Sequence, residues 1–267
     1  MKFNILCVFI IVLLFSGCTE NIMLDLNSSN PQVVIEGSVP VDGKAQISIT
    51  KSINFDAGNN FLTVSNATVT LSDNTGNSEI LTETSTGIYT TNSMIGIIGQ
   101  TYSLSVKMND KTITSSCKIP DQVHFDSLIV KVAENFGRFG GNTPNDTLYT
   151  ITVEYRDPAS ETNYYRFIEY INGKSTGNIY AYNDRLTNGK FVESNLLNFN
   201  RLLTKGDTIT VEMQCIDKTV YEYLNSFGNL AMGPSSSTPA NPYTNLNGSV
   251  LGYFSAHTTE RKSYIIQ

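Results

Sequence analysis

The sequence predicts a mainly β protein in which a β-sandwich precedes a second β-rich domain with one short helix. Its 267 residues include 14 Tyr and 13 Phe, whereas charged residues make up only 16%. This composition suits half-buried strands and polar turns better than helices. Apolar and polar residues alternate with period two along most of the chain beyond residue 30, and Asn, Asp and Gly turns interrupt the alternation. Both patterns are typical of antiparallel sheets.

The first sandwich is predicted to occupy residues 31–120. Strands are expected at residues 45–50, 68–71, 102–108 and 111–119. Asn109 and Asp110 supply a two-residue turn between the last two of these strands, since both residues tolerate positive φ. The order of residues 66–69, 73–76, 87–89 and 99–102 resembles the small immunoglobulin-like and transthyretin-like modules of bacterial surface proteins. We therefore expect residues 31–120 to form an immunoglobulin-like β-sandwich that folds on its own.

The second β-rich domain is predicted to cover residues 121–267, with the boundary at Pro120. Alternation and apolar runs predict strands at residues 128–133, 148–156, 164–171, 178–182 and 208–216, with closing strands at 250–256 and 263–266. Asn172-Gly173 is a strong hairpin turn after the third of these strands.

One helix is predicted near residues 219–228. Thr219 and Glu222 match a capping box. Val220, Tyr223, Leu224 and Phe227 lie at helical spacing. Gly228 is expected to end the helix.

The N-terminal residues predict export as a lipoprotein. Lys2 precedes residues 3–15, which are apolar except for one Asn, too few to span a membrane but suited to a signal peptide. The following Ser16-Gly17-Cys18 resembles a lipobox, so we expect cleavage after residue 17 and acylation, including palmitate, at Cys18. Residues 18–30 are then a lipidated tether to the membrane. An ordinary signal peptide that ends near a cysteine is the alternative.

The net charge of the chain limits the classes of partner that it is expected to bind. The formal net charge is −6 and no basic run occurs, so neither nucleic acid nor an anionic headgroup surface is expected as a partner. Cys7 is expected to leave with the signal peptide and Cys18 to be acylated, so Cys117 and Cys215 are the remaining cysteines. Both share strand parity with apolar residues. Buried free cysteines and a disulfide between the two are both compatible with this pattern.

The sequence contains no motif for catalysis, metal binding or a cofactor. Its two histidines, His124 and His257, lack ligand spacing, and nucleophile-elbow and phosphate-loop motifs are absent. We therefore expect a non-enzymatic protein without metal or cofactor. The first candidate binding surface is an aromatic cluster that could stack against sugars or peptides, and its members are Tyr164, Tyr165, Phe167, Tyr170, Tyr180 and Tyr182. The candidate binding residues among them are Tyr164, Tyr170, Tyr180 and Tyr182. Core packing of a strand that is apolar on both faces is the alternative.

A long loop is the second candidate. Residues 233–248 include three prolines and three consecutive serines, which exclude a helix or a central strand. Loops of this length are uncommon in compact domains and are usually functional or disordered. Tyr243 and Leu246 are its large apolar side chains. We expect the loop to lie on the surface beside the second domain, with these two side chains in contact with a partner. Disorder is the alternative.

Several segments resemble one known family. They are Lys-Gly-Asp-Thr-Ile-Thr-Val-Glu at 205–212, Ile-Asp-Lys-Thr-Val-Tyr-Glu-Tyr at 216–223, Asn-Pro-Tyr-Thr-Asn-Leu-Asn-Gly at 241–248 and Leu-Gly-Tyr-Phe at 251–254. Their order is similar to that in the domain-of-unknown-function 4249 family of outer-membrane lipoproteins. The resemblance implies a protein encoded beside a TonB-dependent transporter, and it implies no catalytic residues.

Two functions fit these observations. One is a lipid-anchored outer-membrane protein, facing the cell surface, that aids TonB-dependent nutrient uptake by binding a ligand, the transporter β-barrel or both. The other is a structural or adhesive surface module with no transport role.

The lipobox interpretation makes a direct prediction. Replacing Cys18 by Ala removes the thiol that accepts the diacylglyceryl group, so the protein should no longer partition with membranes. Palmitate labelling and membrane fractionation measure this outcome. Labelling of the Cys18→Ala protein at the wild-type level would show that the anchor lies elsewhere.

Overall fold

The predicted alternating segments form strands in the computed structural model, which describes residues 30–53, 61–132, 149–196, 203–231 and 241–267. The first nine strands are β1 (Val33–Pro40), β2 (Lys44–Lys51), β3 (Leu62–Thr63), β4 (Thr68–Asp73), β5 (Ser78–Ile80), β6 (Thr82–Ser85), β7 (Ile88–Ile95), β8 (Thr101–Met108) and β9 (Lys111–Lys118). The remaining strands are β10 (Phe125–Val132), β11 (Tyr149–Arg156), β12 (Tyr164–Ile171), β13 (Lys174–Ser175), β14 (Tyr180–Asn183), β15 (Phe191–Leu196), β16 (Thr208–Cys215), β17 (Leu251–His257) and β18 (Glu260–Ile265). Helix α1 (Lys218–Ala231) lies between β16 and β17. The mainly β fold class is confirmed.

Within the described residues the strands form four sheets. Sheet I has the order β17-β1-β2-β7-β6, with β3 also paired to β2, and sheet II has the order β5-β4-β8-β9. Sheet III is β10-β11-β15. Sheet IV is β13-β12-β16-β18, with β14 also paired to β12. All the strand pairs are antiparallel except β1 with β17.

Two hydrophobic cores follow from this arrangement. Sheets I and II enclose the first core, where inward residues such as Ile35, Ile47 and Leu104 are almost fully buried. Sheets III and IV enclose the second core, which includes Phe125 and Phe167. Alternation explains both cores, because every second side chain of each strand points inward.

The C-terminal segment joins the first core. Strand β17 pairs in parallel with β1, from Val34 opposite Leu251 to Pro40 opposite His257. Phe254 is fully buried in the first core. Although β17 was expected to close the second domain, it completes sheet I instead, and only β18 returns to sheet IV. The residues from Pro31 to Gln267 form one compact unit, and the division at Pro120 into independently folding domains stays a prediction.

Helix α1 differs from the predicted helix at both ends. It begins at Lys218, and Asp217 is its N-cap, because Asp217 Oδ1 accepts bonds from Thr219 N and Oγ1 at 2.7 and 2.6 Å. The predicted capping role of Thr219 is therefore wrong. The helix also continues past Gly228, which does not adopt the positive φ that ends many helices. Its apolar face reaches the first core through Val220 and Leu224.

A close backbone approach fixes the β1–β17 pair. Gly252 has φ of +100°, and a Cβ built on it would lie 2.0 Å from the Ile35 carbonyl oxygen. Only glycine permits this geometry, because any side chain would collide with the backbone of β1. Gly76 has almost the same φ, +98°, but open space around it.

These two glycines form a matched pair for a stability test. Gly76→Ala should lower the free energy of unfolding by about 1–2 kcal/mol, the cost of a left-handed alanine. Gly252→Ala adds the collision with Ile35 and should cost more than about 4 kcal/mol. Urea unfolding followed by circular dichroism measures both losses. Equal losses at the two positions would contradict the close β1–β17 approach.

Candidate functional site

A polar cleft of about 440 Å³ lies between sheets I and IV. Sheet IV contributes Arg166, Ile168, Tyr170, Glu212, Gln214 and Arg261. Sheet I contributes Ser38, Pro40, Tyr253, Ser255 and His257. We call this set the inter-sheet cleft. Its volume falls in the range typical of small-molecule sites, about 300–1,000 Å³.

Strand alternation places these side chains. In β12, Tyr165 and Phe167 point into the second core, so Arg166 and Tyr170 point to the opposite face. In β17, Phe254 and Ala256 fill the first core, so the intervening polar side chains face sheet IV. Register then aligns the polar residues in rows, with Arg166 opposite Gln214 and Glu212 opposite Arg261.

A buried carboxylate organises one side of the cleft. Glu212 is 3% exposed, and its Oε2 accepts bonds from Arg261 Nη2 and Nε at 2.6 and 2.7 Å. Its Oε1 accepts a bond from Gln214 Nε2 at 2.5 Å. A buried charge needs such compensation. The bond to Glu212 raises the pKa of Arg261, and the guanidinium carbon lies 5.5 Å from the Tyr170 ring centroid.

The second arginine is held differently. Arg166 donates from Nη1 to Tyr253 Oη at 3.1 Å, and its guanidinium carbon lies 5.9 Å from the centroid of that ring. Among the described residues, no carboxylate lies within 4.0 Å of the Arg166 side-chain nitrogens. With Arg261 neutralised by Glu212, the cleft carries one surplus positive charge in a chain whose net charge is −6.

Opposite these arginines lies a buried histidine–serine pair. His257 Nδ1 and Ser255 Oγ are 2.9 Å apart on alternate residues of β17. Burial, followed by the charge of Arg166, lowers the pKa of His257 from 6.5 to about 4, although Glu212 acts in the opposite direction. The imidazole is therefore neutral at pH 7. A base this weak accepts protons poorly at neutral pH, so the pair suits hydrogen bonding to a ligand better than nucleophile activation.

One polar atom in the cleft has unmet bonding capacity. Gln214 Oε1 is buried and has no hydrogen-bond partner among the described residues. Buried amide oxygens in folded proteins nearly always accept a bond. Gln214 lines the cleft, and Arg166 is its register partner on β12.

The predicted aromatic cluster divides between two faces of sheet IV. Tyr170 lines the inter-sheet cleft. Tyr164 lies on the same face but packs against α1, with its ring centroid 5.1 Å from that of Tyr221. Tyr180 and Tyr182 face the second core, where Tyr182 packs 6.0 Å from Phe167. Burial raises the pKa of both core tyrosines. The structure therefore does not unite the four residues in one stacking surface.

The predicted contact loop is described from residue 241 onward, and residues 232–240 lie outside the described part of the chain. Tyr243 is 79% exposed, whereas Leu246 is 4% exposed and belongs to the first core. The prediction that this loop lies beside the second domain is wrong for residues 241–248. Asn247 N donates to Thr114 O at 2.7 Å, which places the segment against β9 of the first sandwich.

Both cysteines of the described residues, Cys117 and Cys215, are free and buried. Cys117 Sγ accepts a bond from Ala256 N at 3.2 Å, so it helps cover the outer edge of β17. Burial raises the pKa of this thiol to about 12. Cys215 Sγ accepts from Val123 N at 3.3 Å. Cys18, the signal peptide and nearly all of the tether lie outside the described residues.

Sequence analysis missed most of the inter-sheet cleft. It identified Tyr170 but not Arg166, Glu212, Gln214 or Arg261. A signal was present, since Glu212 and Gln214 are polar residues of an otherwise core-forming strand. Their partners lie on strands that are neighbours only in space, so no local spacing connects them.

The fold and the cleft together define a mainly β protein with two cores and a charged site between its sheets. The chain belongs to the domain-of-unknown-function family DUF4249, whose model matches residues 19–263. The resemblance inferred from sequence segments is thereby confirmed. No curated protein matches the chain.

The described residues contain no group of three or more His, Cys, Asp or Glu side chains placed to hold a metal ion. They also contain no helix that is long and apolar enough to cross a membrane.

His257 predicts a specific pH dependence of stability. The unfolded histidine takes up a proton near pH 6.5, whereas the native one resists it until about pH 4. Stability should therefore fall as the pH drops from 6.5 to 4, by at most about 3 kcal/mol. The lowered pKa values of the Asp73 and Glu79 carboxyl groups affect stability at lower pH, because the ordinary pKa of such a group is 4.5 or less.

Urea unfolding at several pH values tests this prediction. His257→Gln keeps a neutral polar side chain and should flatten the dependence between pH 6.5 and 4. His124→Gln, at an exposed histidine, is the control and should retain the wild-type slope. A wild-type slope in the His257→Gln protein would assign the effect to other groups.

Proposed function

We propose that this chain is a lipid-anchored outer-membrane protein, facing the cell surface, that assists TonB-dependent nutrient uptake without catalysis. It captures a ligand in the inter-sheet cleft and docks on a transporter β-barrel. The observation that carries this proposal is the cleft itself, where Arg166 lacks a carboxylate partner and Gln214 Oε1 lacks a donor among the described residues. Polar groups left uncompensated at the wall of a cavity favour a binding role.

The membrane anchor rests on the sequence. The Ser16-Gly17-Cys18 lipobox supplies the acylation site, and the polar residues after it supply a tether. The compact unit begins at Pro31, just before β1. The cleft residues Ser38 and Pro40 belong to the second half of that strand. Ser38 lies five positions after Val33, about 17 Å along the strand, so the cleft is set apart from Pro31, the first residue of the compact unit.

The docking point is proposed to include Tyr243. This side chain is 79% exposed on a segment that is itself well fixed. Thr244 Oγ1 donates to Gly252 O at 2.6 Å, and Asn245 bonds both backbone groups of Phe254. An exposed tyrosine on an ordered segment offers contact area at low entropic cost, as in many interface hot spots.

The weak basicity of His257 supports the non-catalytic part of the proposal. A neutral imidazole with a pKa of about 4 is a poor general base at pH 7. The family relationship is compatible with uptake, since the resemblance implies a neighbouring transporter gene.

Co-purification in mild detergent tests the transport role. The wild-type lipoprotein should bring down a stoichiometric β-barrel protein, and Tyr243→Ala should reduce its recovery several-fold. Leu186→Ala is the matched control, because Leu186 is also 78% exposed but lies in the segment between β14 and β15. Recovery of no barrel protein by the wild type would favour a structural or adhesive module. Equal recovery of the barrel protein by the Tyr243→Ala variant would show that Tyr243 is not part of the docking contact.

A further inference from the structure

We propose that the inter-sheet cleft selects a small ligand that carries a carboxylate next to a hydroxyl group, such as a sugar acid. This inference rests on the proposed function, because it takes the cleft to be the ligand site. It adds the chemical class of the ligand and assigns the recognition to Arg166 and Gln214.

The charge balance of the cleft points to an anion. Arg261 is neutralised by two bonds to Glu212 Oε2. Arg166 has no such partner among the described residues. Glu36 of β1 is opposite Tyr253 in register, and it forms no ion pair with Arg166 within 4.0 Å. His257 is neutral at pH 7. An anionic group would therefore find one uncompensated cation.

The geometry of Arg166 favours a carboxylate. A guanidinium has five N–H donors in a planar fork that matches the two oxygens of a carboxylate. The bond from Nη1 to Tyr253 Oη uses one donor and, with the adjacent ring, fixes the plane of the fork. The remaining donors are left for a ligand, without the entropic cost of ordering a free side chain.

The hydroxyl requirement comes from Gln214. Arg166 and Gln214 are directly opposite each other in the β12–β16 register, so their Cβ atoms are about 5 Å apart. Gln214 Nε2 is committed to Glu212 Oε1 at 2.5 Å, which orients Oε1 as a bare acceptor. A ligand whose carboxylate meets Arg166 would satisfy this acceptor with a hydroxyl on the adjacent carbon.

The opposite wall is suited to further hydroxyl groups. Ser255 and the neutral His257 both offer hydrogen-bonding atoms without charge. Tyr170 and Tyr253 supply aromatic surface at the two arginines. These groups would bind the hydroxyl groups of a sugar acid, and Arg166 would bind its carboxylate.

Isothermal titration calorimetry with the mature lipoprotein in mild detergent tests the proposal. The probes are gluconate, which carries a hydroxyl on the carbon next to its carboxylate, its neutral open-chain counterpart sorbitol, and inorganic phosphate. Loss of a charge-assisted bond weakens binding by about tenfold or more, so gluconate should bind at least that much more tightly than sorbitol and phosphate. Equal affinity for gluconate and sorbitol, or no binding of gluconate, would overturn the proposal. Tighter binding of phosphate would overturn the choice of a carboxylate.

Arg166→Gln should remove the preference for gluconate over sorbitol, and Arg166→Lys should retain part of it. The matched control is Arg156→Gln, because Arg156 is an exposed arginine whose guanidinium lies over Phe191, outside the cleft. An unchanged preference in both Arg166 variants, with wild-type unfolding curves, would exclude Arg166 as the recognition residue. Barrel co-purification with no gluconate preference would refute this inference alone, and loss of both results would refute the proposed function as well.

Discussion

The parallel pairing of β17 with β1 is the contact on which the first core and one wall of the cleft depend. It brings a C-terminal strand into the N-terminal sheet and buries Phe254 in the first core. The same strand turns Tyr253, Ser255 and His257 toward sheet IV, where they form one wall of the cleft. The pairing is possible because residue 252 is a glycine that tolerates the Ile35 carbonyl at very short range. Stability and site geometry therefore depend on one backbone contact.

The buried Glu212 imposes a second constraint. A carboxylate that is 3% exposed is stable only with partners that compensate its charge. Arg261 and Gln214 provide that compensation. Arg261 and the Gln214 amide nitrogen are thereby engaged by Glu212. In the proposed binding mode, Arg166 is left as the cation and Gln214 Oε1 as the acceptor for a ligand. The chemistry proposed for the cleft follows from how its own polar groups satisfy one another.

The strands were largely predictable because alternation is a local property. Segments such as β8, β12 and β16 were identified within one or two residues of their observed bounds. Helix α1 was recognised from the spacing of Val220 and Leu224, but its cap was misassigned, since Asp217 and Thr219 are both good capping residues and only the backbone bonds distinguish them. Of the candidate binding residues, Tyr170 reaches the cleft and Leu246 is buried in a core.

The sequence by itself determined the β class, the turns, the burial of both cysteines and the family, because these depend on composition, period and short motifs. Only the tertiary structure decided that β17 joins sheet I and that Tyr180 and Tyr182 pack inside the second core. It also decided that Arg166 lies beside Gln214, which is 48 residues later in the chain. Strand pairing is set by burial summed over whole sheets, and no local pattern records which strands will become neighbours.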